Sequence, residues 1–186
     1  MDEYQKGLTL LRLARTAIAH ELGFASHGLP RSDWLAQERA TFVTLNLHGN
    51  LRGCIGSLEA HRPLMDDVRH NAVAAAFQDP RFPPLSKEEF ADVRIEVALL
   101  GTPEPVHFNS EADALSQLRP GEDGVILEYG RSRATYLPQV WAQLPEAREF
   151  IRNLKEKAGL PADFWSVDIR LFRYNVQKYV EGDSDG

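Results

Sequence analysis

The chain has 186 residues, of which 43% are apolar and 26% are charged, and its formal net charge is −6 at pH 7. This length favours one domain, and the acidic balance disfavours a main role in binding nucleic acid, whose phosphate backbone is bound by Lys and Arg. The single cysteine, Cys54, excludes a disulfide framework and a Cys-rich zinc site within one chain.

The sequence shows no sign of export or of a membrane span. Residues 1–5 lack the basic region and apolar core of a signal peptide. No apolar run reaches the length of about 18 residues that a transmembrane helix needs. We therefore expect a cytoplasmic protein that does not enter a membrane.

The first predicted elements are a helix and a hairpin. Apolar residues recur at steps of three and four between Tyr4 and Leu22, which predicts a helix that ends at Gly23. Residues 24–38 have no clear period and are expected to form a surface loop. The runs over residues 41–47 and 51–56 are joined through a Gly-Asn step, which predicts a β-hairpin.

A second helix is predicted to start at Pro63, because proline suits the first helical position, and to end near Asp79, because Pro80 follows. Ser86 and Glu89 form a capping-box pattern for a short helix. Alternation of apolar and polar residues over 93–99 then predicts a half-buried strand.

The second half of the chain continues in the same way. The predicted elements are a helix from Ser110, a hairpin of residues 124–129 and 133–137, a helix over 145–158 and a last long strand over 167–171. Hairpins separated by helices predict the α+β class, with a mixed or antiparallel sheet flanked by helices. We expect one domain over residues 1–180 and a disordered tail over residues 181–186, which lack an apolar anchor.

The loop of the first hairpin decides which residue lies opposite Cys54. A two-residue turn at residues 49–50 places Leu45 there, whereas a three-residue loop over residues 48–50 places Thr44 there. We prefer the three-residue loop, because it collects the apolar side chains of both strands on one face. The opposite, polar face then consists of Thr44, Asn46, Arg52 and Cys54, with Asn46 opposite Arg52.

This register makes Cys54 a candidate reactive residue. Its thiol lies beside the Arg52 guanidinium, which favours the reactive thiolate, and between Gly53 and Gly56. Glycine within a strand indicates close approach of a ligand or of another chain segment. The alternative is that Cys54 is a small side chain that only packs, as free cysteines commonly do.

Two further groups of charged residues offer alternatives. Asp79 and Arg81 form a ligand clamp, since a guanidinium binds carboxylate or phosphate bidentately, or they pair with each other across a rigid turn. Asp66, Asp67 and His70 lie on one helix face but provide too few ligand types for a metal ion. We interpret them as a solvated helix face and predict no metal site.

Several motifs give the chain a family resemblance. The central one is Leu51-Arg52-Gly53-Cys54-Ile55-Gly56. The others, in chain order, are Phe42-Val43-Thr44-Leu45, Asp79-Pro80-Arg81-Phe82-Pro83-Pro84-Leu85, Gly121-x-Asp123-Gly124-Val125, Leu137-Pro138-Gln139-Val140-Trp141 and Lys157-Ala158-Gly159-Leu160. Together they resemble the AMMECR-type domain, also called AmmeMemoRadiSam system protein A, over about residues 8–178.

The resemblance implies an α+β domain with a larger and a smaller lobe. It also implies a setting, because prokaryotic members are similar to one component of a three-protein system with a Memo-like protein and a radical SAM enzyme. The resemblance assigns no reaction, and no cofactor is identified.

Two functions follow as hypotheses. In the first, a small ligand binds in the cleft between the lobes, Cys54 acts as nucleophile or covalent holder, and Arg52 and Arg81 orient an anionic group. In the second, the same surface is a non-catalytic adaptor for protein partners, and Cys54 only packs. The candidate catalytic residue is Cys54, and the candidate ligand-binding residues are Arg52, Thr44, Asn46, Gly53, Gly56, Asp79 and Arg81.

Overall fold

The computed structural model describes residues 1–25 and 28–182. The chain divides into two compact units, one formed by Met1–Leu100 together with the chain from Gln177 onward, and the other by Gly101–Val176. Within the described residues, no helix is both long and apolar enough to cross a membrane.

Helices and strands follow one another along the chain as the α+β class predicts. The helices are α1 (Glu3–Glu21), α2 (Leu64–Phe77), α3 (Lys87–Phe90), α4 (Glu111–Gln117) and α5 (Ala147–Lys157). The strands are β1 (Thr41–Leu47), β2 (Asn50–Gly56), β3 (Val93–Leu100), β4 (Glu104–Pro105), β5 (Gly124–Tyr129), β6 (Ser132–Tyr136), β7 (Arg170–Tyr174) and β8 (Val176–Val180). Short 3₁₀ helices cover Asp33–Ala36 and Pro138–Ala142.

The larger unit is an antiparallel sheet with the strand order β2-β1-β3-β8, covered by α1 and α2. Its core face carries Val43 and Leu45 of β1 and Ile95 and Val97 of β3, none of which is exposed. The helices contribute the stripes that their periodicity predicts, since apolar area buried between a sheet and a helix drives their association. Because β2 is an edge strand, its outer backbone groups need other partners.

The smaller unit is a second antiparallel sheet with the order β4-β7-β5-β6. Helix α5 buries Phe150, Ile151 and Leu154, and the ring of Trp141 stacks on Phe150 with centroids 3.8 Å apart. Two four-stranded antiparallel sheets in the described residues confirm the predicted α+β class and antiparallel pairing.

Local signals set most helix boundaries. The side chain of Asp2 accepts a hydrogen bond from the Gln5 N–H at the start of α1, and Gly23 follows its end with a φ of +86°. Both halves of the predicted capping box at α3 are present, because Ser86 and Glu89 each accept the other's backbone N–H. The predicted end of α1 at Gly23 and the predicted capping box are thus confirmed.

The predicted last strand is wrong in its bounds. Val167 is 93% exposed, and the Ile169 N–H closes a turn onto the carbonyl of Ser166. Strand β7 therefore begins only at Arg170, and the chain then forms a further strand, β8. Apolar and polar residues alternate in this turn as they do in a strand, which explains why the predicted strand starts too early.

Glu181 ties the end of the described chain to the larger unit. Its carboxylate accepts two hydrogen bonds from Arg15, each 2.6 Å long, and one from the N–H of Ile95. Glu181 is the first residue of the expected tail, and in the structure it has these partners. Residues 183–186 of that tail lie outside the described residues.

Candidate functional site

The hairpin that carries Cys54 has a two-residue turn. His48 and Gly49 both have positive φ angles, 50° and 80°, and Leu47 pairs with Asn50. Two consecutive positive φ values are typical of a type I′ turn, whose twist matches that of the strands. The predicted three-residue loop is therefore wrong, and so is the alternative turn at residues 49–50.

A β-bulge then restores the predicted pairing at Cys54. Asn46 pairs with Leu51, but Leu45 pairs with Gly53 and Thr44 with Cys54. Arg52 is the extra residue. The pairing of Thr44 with Cys54 is confirmed, whereas Asn46 lies opposite Leu51 and not Arg52. Leu51, expected on the apolar face, is 42% exposed.

The thiol of Cys54 is half-buried and lies against Thr44. The Thr44 Oγ1 and Cys54 Sγ atoms are 3.3 Å apart, within hydrogen-bonding distance. The main-chain groups of Cys54 point away from β1, because its N–H donates to Asp79 Oδ2 at 3.0 Å and its carbonyl accepts from Arg81 Nη2 at 3.4 Å. Thr44 and Cys54 therefore form a non-hydrogen-bonded pair, in which facing side chains are closest.

Asp79 and Arg81 are paired with each other and with this edge of β2. The Arg81 Nε donates to Asp79 Oδ1 at 3.0 Å and Nη2 donates to Oδ2 at 2.7 Å. Hydrogen bonds from Arg81, and from the Cys54 N–H, hold the pKa of Asp79 well below its usual range against the opposing effect of burial. Asp79 is 4% exposed, but the side chain of Arg81 is 54% exposed.

The guanidinium of Arg81 interacts electrostatically with Cys54. The pKa of Arg81 is raised, chiefly by its hydrogen bonds to Asp79 and also by Coulombic attraction to Asp79 and to Cys54. The cation beside Cys54 is thus Arg81 and not Arg52.

Arg52 is buried elsewhere, with 7% of its surface exposed. Its Nε and Nη2 atoms donate to both carboxylate oxygens of Glu89 at 2.9 and 3.1 Å, and Nη2 also donates to the carbonyl of Pro83. Hydrogen bonding from Arg52, with help from the Ser86 N–H, lowers the pKa of Glu89 to about 2. The expectation that Arg52 lies on an open polar face beside the thiol is wrong, because a charge buried this deeply needs its own counter-ion.

The two glycines around Cys54 have packing partners. A Cβ on Gly53 would overlap the carbonyl oxygen of Ala75 in α2 and stand 3.0 Å from its carbonyl carbon. A Cβ on Gly56 would overlap the ring of Phe42. Glycine in this strand indicates close approach either of a ligand or of another chain segment. For Gly53 and Gly56, the structure shows other parts of the chain at that close distance.

Asp67 is the centre of a buried polar cluster that the sequence does not predict. Asp67 has no exposed surface, and its carboxylate accepts hydrogen bonds from the N–H and Oγ1 of Thr41, from Ser57 and from Asn71. The prediction of a solvated face is wrong for Asp67, although His70 is exposed. Helical spacing could have separated Asp67 from Asp66, because Asp67 lies three residues after Leu64, on the buried stripe of α2, but its partner Thr41 is 26 residues away. Across residues 1–25 and 28–182, no group of three or more candidate ligands could hold a metal ion.

Comparison with known proteins identifies the family of this chain. A family model described as AMMECR1 matches residues 11–179. The chain belongs to the AMMECR1 family. The central motif of the resemblance, Leu51–Gly56, lies in β2 and includes the bulge, Gly53 and Cys54.

Relatives of the chain cover between about three quarters and nearly all of its length. A protein of Methanothermobacter thermautotrophicus is 44% identical over 181 residues, covering 95% of this chain and 94% of that protein. A protein of Thermotoga maritima is 41% identical over 140 residues, covering 74% and 75%. The crystal structure of an uncharacterised protein from Pyrococcus horikoshii is similar, with a TM-score of 0.75, 33% identity, and 93% and 90% of the two chains covered.

Proposed function

We propose that this AMMECR1-family protein binds a small anionic ligand at Cys54 and that the Cys54 thiol attacks the ligand or holds it covalently. The observation that carries the proposal is the placement of Arg81. Asp79 fixes this guanidinium against the Cys54 carbonyl, and yet more than half of the side chain is exposed to an incoming group. Arg81 can thus bind the anionic group of a ligand close to a half-buried thiol, the side chain whose deprotonated form is a nucleophile.

Each neighbouring residue receives a role in this proposal. Arg81 orients the anionic group, Asp79 positions Arg81 and the Cys54 backbone, and Thr44 holds the thiol through its hydroxyl. Asn46, which is half-buried on the same strand as Thr44, contacts the ligand. We assign Gly53 and Gly56 to packing, because both approach other parts of the larger unit too closely for a side chain.

Alkylation with reagents of different charge tests the proposal. Iodoacetate is anionic and iodoacetamide is neutral, and both form a carbon–sulfur bond with the thiolate as iodide leaves. An exposed ion pair is worth up to about 1 kcal/mol, so we expect Cys54 to react roughly fivefold faster with iodoacetate, relative to iodoacetamide, than a free cysteine does. Arg81→Gln should remove this preference and leave the iodoacetamide rate nearly unchanged.

Two variants control the measurement. Arg69→Gln removes an exposed guanidinium from the same unit and should change neither rate, and Cys54→Ser should not be labelled. Equal relative rates for Cys54 and free cysteine, unchanged by Arg81→Gln, would show that the guanidinium does not orient an anion at the thiol.

We extend the proposal to partners, supported by the resemblance of AMMECR1-family sequences to one component of a three-protein system. A Memo-like protein and a radical SAM enzyme are the proposed partners. If the protein is instead a non-catalytic adaptor, co-purification with these partners should survive Cys54→Ser and fail on Arg81→Glu. Arg52 is a poor interface residue in that alternative, because it is buried against Glu89.

A further inference from the structure

In the first hairpin, the strand pairing next to the turn and the strand pairing at Cys54 differ in register. The type I′ turn pairs Leu47 with Asn50, and a regular ladder from that turn would pair Thr44 with Gly53 and Val43 with Cys54. The observed ladder pairs Thr44 with Cys54. The difference is one residue, and that residue is Arg52.

A one-residue difference in register moves a side chain to the other face of a sheet. Val43 has no exposed surface and lies in the core of the larger unit. Without the bulge, Cys54 would point into that core opposite Val43, away from Thr44. The bulge therefore decides whether the thiol is accessible.

Two contacts hold the bulge in place. Gly53 passes the Ala75 carbonyl so closely that no residue with a side chain fits there, so a slipped strand that brought residue 52 to this point would collide with α2. Arg52 itself is held by both oxygens of Glu89 and by the carbonyl of Pro83. The capping box of α3 in turn holds the Glu89 carboxylate, through the Ser86 N–H.

We propose that Arg52 is a positioning residue for the Cys54 site, which it serves by anchoring the bulge to Glu89, and that it does not contact the ligand. This inference rests on the proposed thiol function, but its structural part concerns the register alone. The role differs from that of Arg81, because Glu89 and Pro83 bind Nε and Nη2 of Arg52, and its third nitrogen, Nη1, is buried without a partner among the described residues, out of reach of a ligand at the surface.

Deletion of Arg52 separates positioning from ligand contact. Without Arg52, a regular ladder that starts at the two-residue turn also pairs Thr44 with Cys54. The short Hα–Hα distance typical of a non-hydrogen-bonded pair should therefore persist in nuclear Overhauser spectra. The ratio of the iodoacetate rate to the iodoacetamide rate should stay within twofold of wild type. A fivefold fall in this ratio with the Thr44–Cys54 contact intact would overturn the inference and make Arg52 a ligand contact.

Glu89→Gln tests the anchor while the extra residue remains in place. We expect hydrogen exchange of the Cys54 amide to accelerate at least tenfold, while amides of β3 change less than twofold. Glu88→Gln, an exposed neighbour in α3, should leave both unchanged. Equal acceleration at Cys54 and in β3, or none at Cys54, would overturn the anchoring role.

The two variants also separate this inference from the proposed function. If wild-type Cys54 shows no preference for iodoacetate, the thiol function fails, and the Hα contact and the amide exchange still decide the register claim. If the deletion variant does not fold, the exchange comparison between Glu89→Gln and Glu88→Gln decides it alone.

Discussion

Replacing Gly53 by alanine is the most direct challenge to the packing of the hairpin against α2. The new Cβ would overlap the carbonyl oxygen of Ala75 and lie 3.0 Å from its carbonyl carbon. This neighbour is backbone, and Ala75 is only 1% exposed within a helix whose inner face is buried. The strand or the helix must therefore move, since no flexible side chain can give way. We expect Gly53→Ala to lower the free energy of unfolding by about 3 kcal/mol, at the upper end of the range for overpacking.

Urea unfolding followed by circular dichroism measures this effect. With a urea dependence of about 2 kcal/mol per molar, the midpoint should fall by about 1.5 M. Gly28→Ala is the matched control, because a Cβ there meets no atom within 4 Å and its φ is not positive. A Gly53→Ala protein within about 0.5 kcal/mol of wild type, the usual effect of a surface substitution, would refute the account of why this position is glycine.

Two other predictions concern carboxylates that accept several hydrogen bonds, Asp67 and Glu89. Asp67→Ala should cost about 3–5 kcal/mol in denaturant unfolding, because four buried donors lose the carboxylate that they share. Asp66→Ala, an exposed change one residue away, should cost less than about 0.5 kcal/mol. For Glu89, the pKa falls from 4.5 to about 2 on folding, so its stabilising effect is complete above pH 4.5 and disappears as the pH falls toward 2. The carboxylate is 30% exposed, which reduces the effect to about 1–2 kcal/mol. The Tm difference between wild type and Glu89→Gln should therefore be constant above pH 4.5 and shrink below it, and a difference that grows in acid would contradict the assignment.

The sequence predicts those parts of the fold that depend on local chemistry. The end of α1 at Gly23 and the capping box of Ser86 and Glu89 are each signalled within four residues of the boundary they set. The alternation over β3 identifies its buried face because a strand repeats every two residues. Periodicity and caps carry this information without reference to the rest of the chain.

The candidate site was predictable only in part, because long-range contacts complete it. The preference for one apolar face correctly paired Thr44 with Cys54, but the bulge that achieves this pairing depends on Glu89, 37 residues from Arg52. The position of the turn was also hard to predict, because His48 has a positive φ angle, which is uncommon outside glycine. The local sequence likewise does not indicate that Arg52 is buried and Arg81 is exposed.

The contrast between Arg52 and Arg81 sets the size of the effect expected at the thiol. Both guanidinium groups bind a carboxylate through Nε and Nη2, and in both Nη1 has no partner among the described residues. They differ in burial, because the side chain of Arg52 is only 8% exposed, whereas that of Arg81 is 54% exposed. An incoming anion can therefore reach Nη1 of Arg81 without breaking the pair with Asp79. Since Asp79 offsets most of the charge of Arg81 at a distance, the attraction acts only at contact. A preference of a few fold for anionic reagents is therefore the result to expect, because a hundredfold preference would require a net positive field that this pair does not produce.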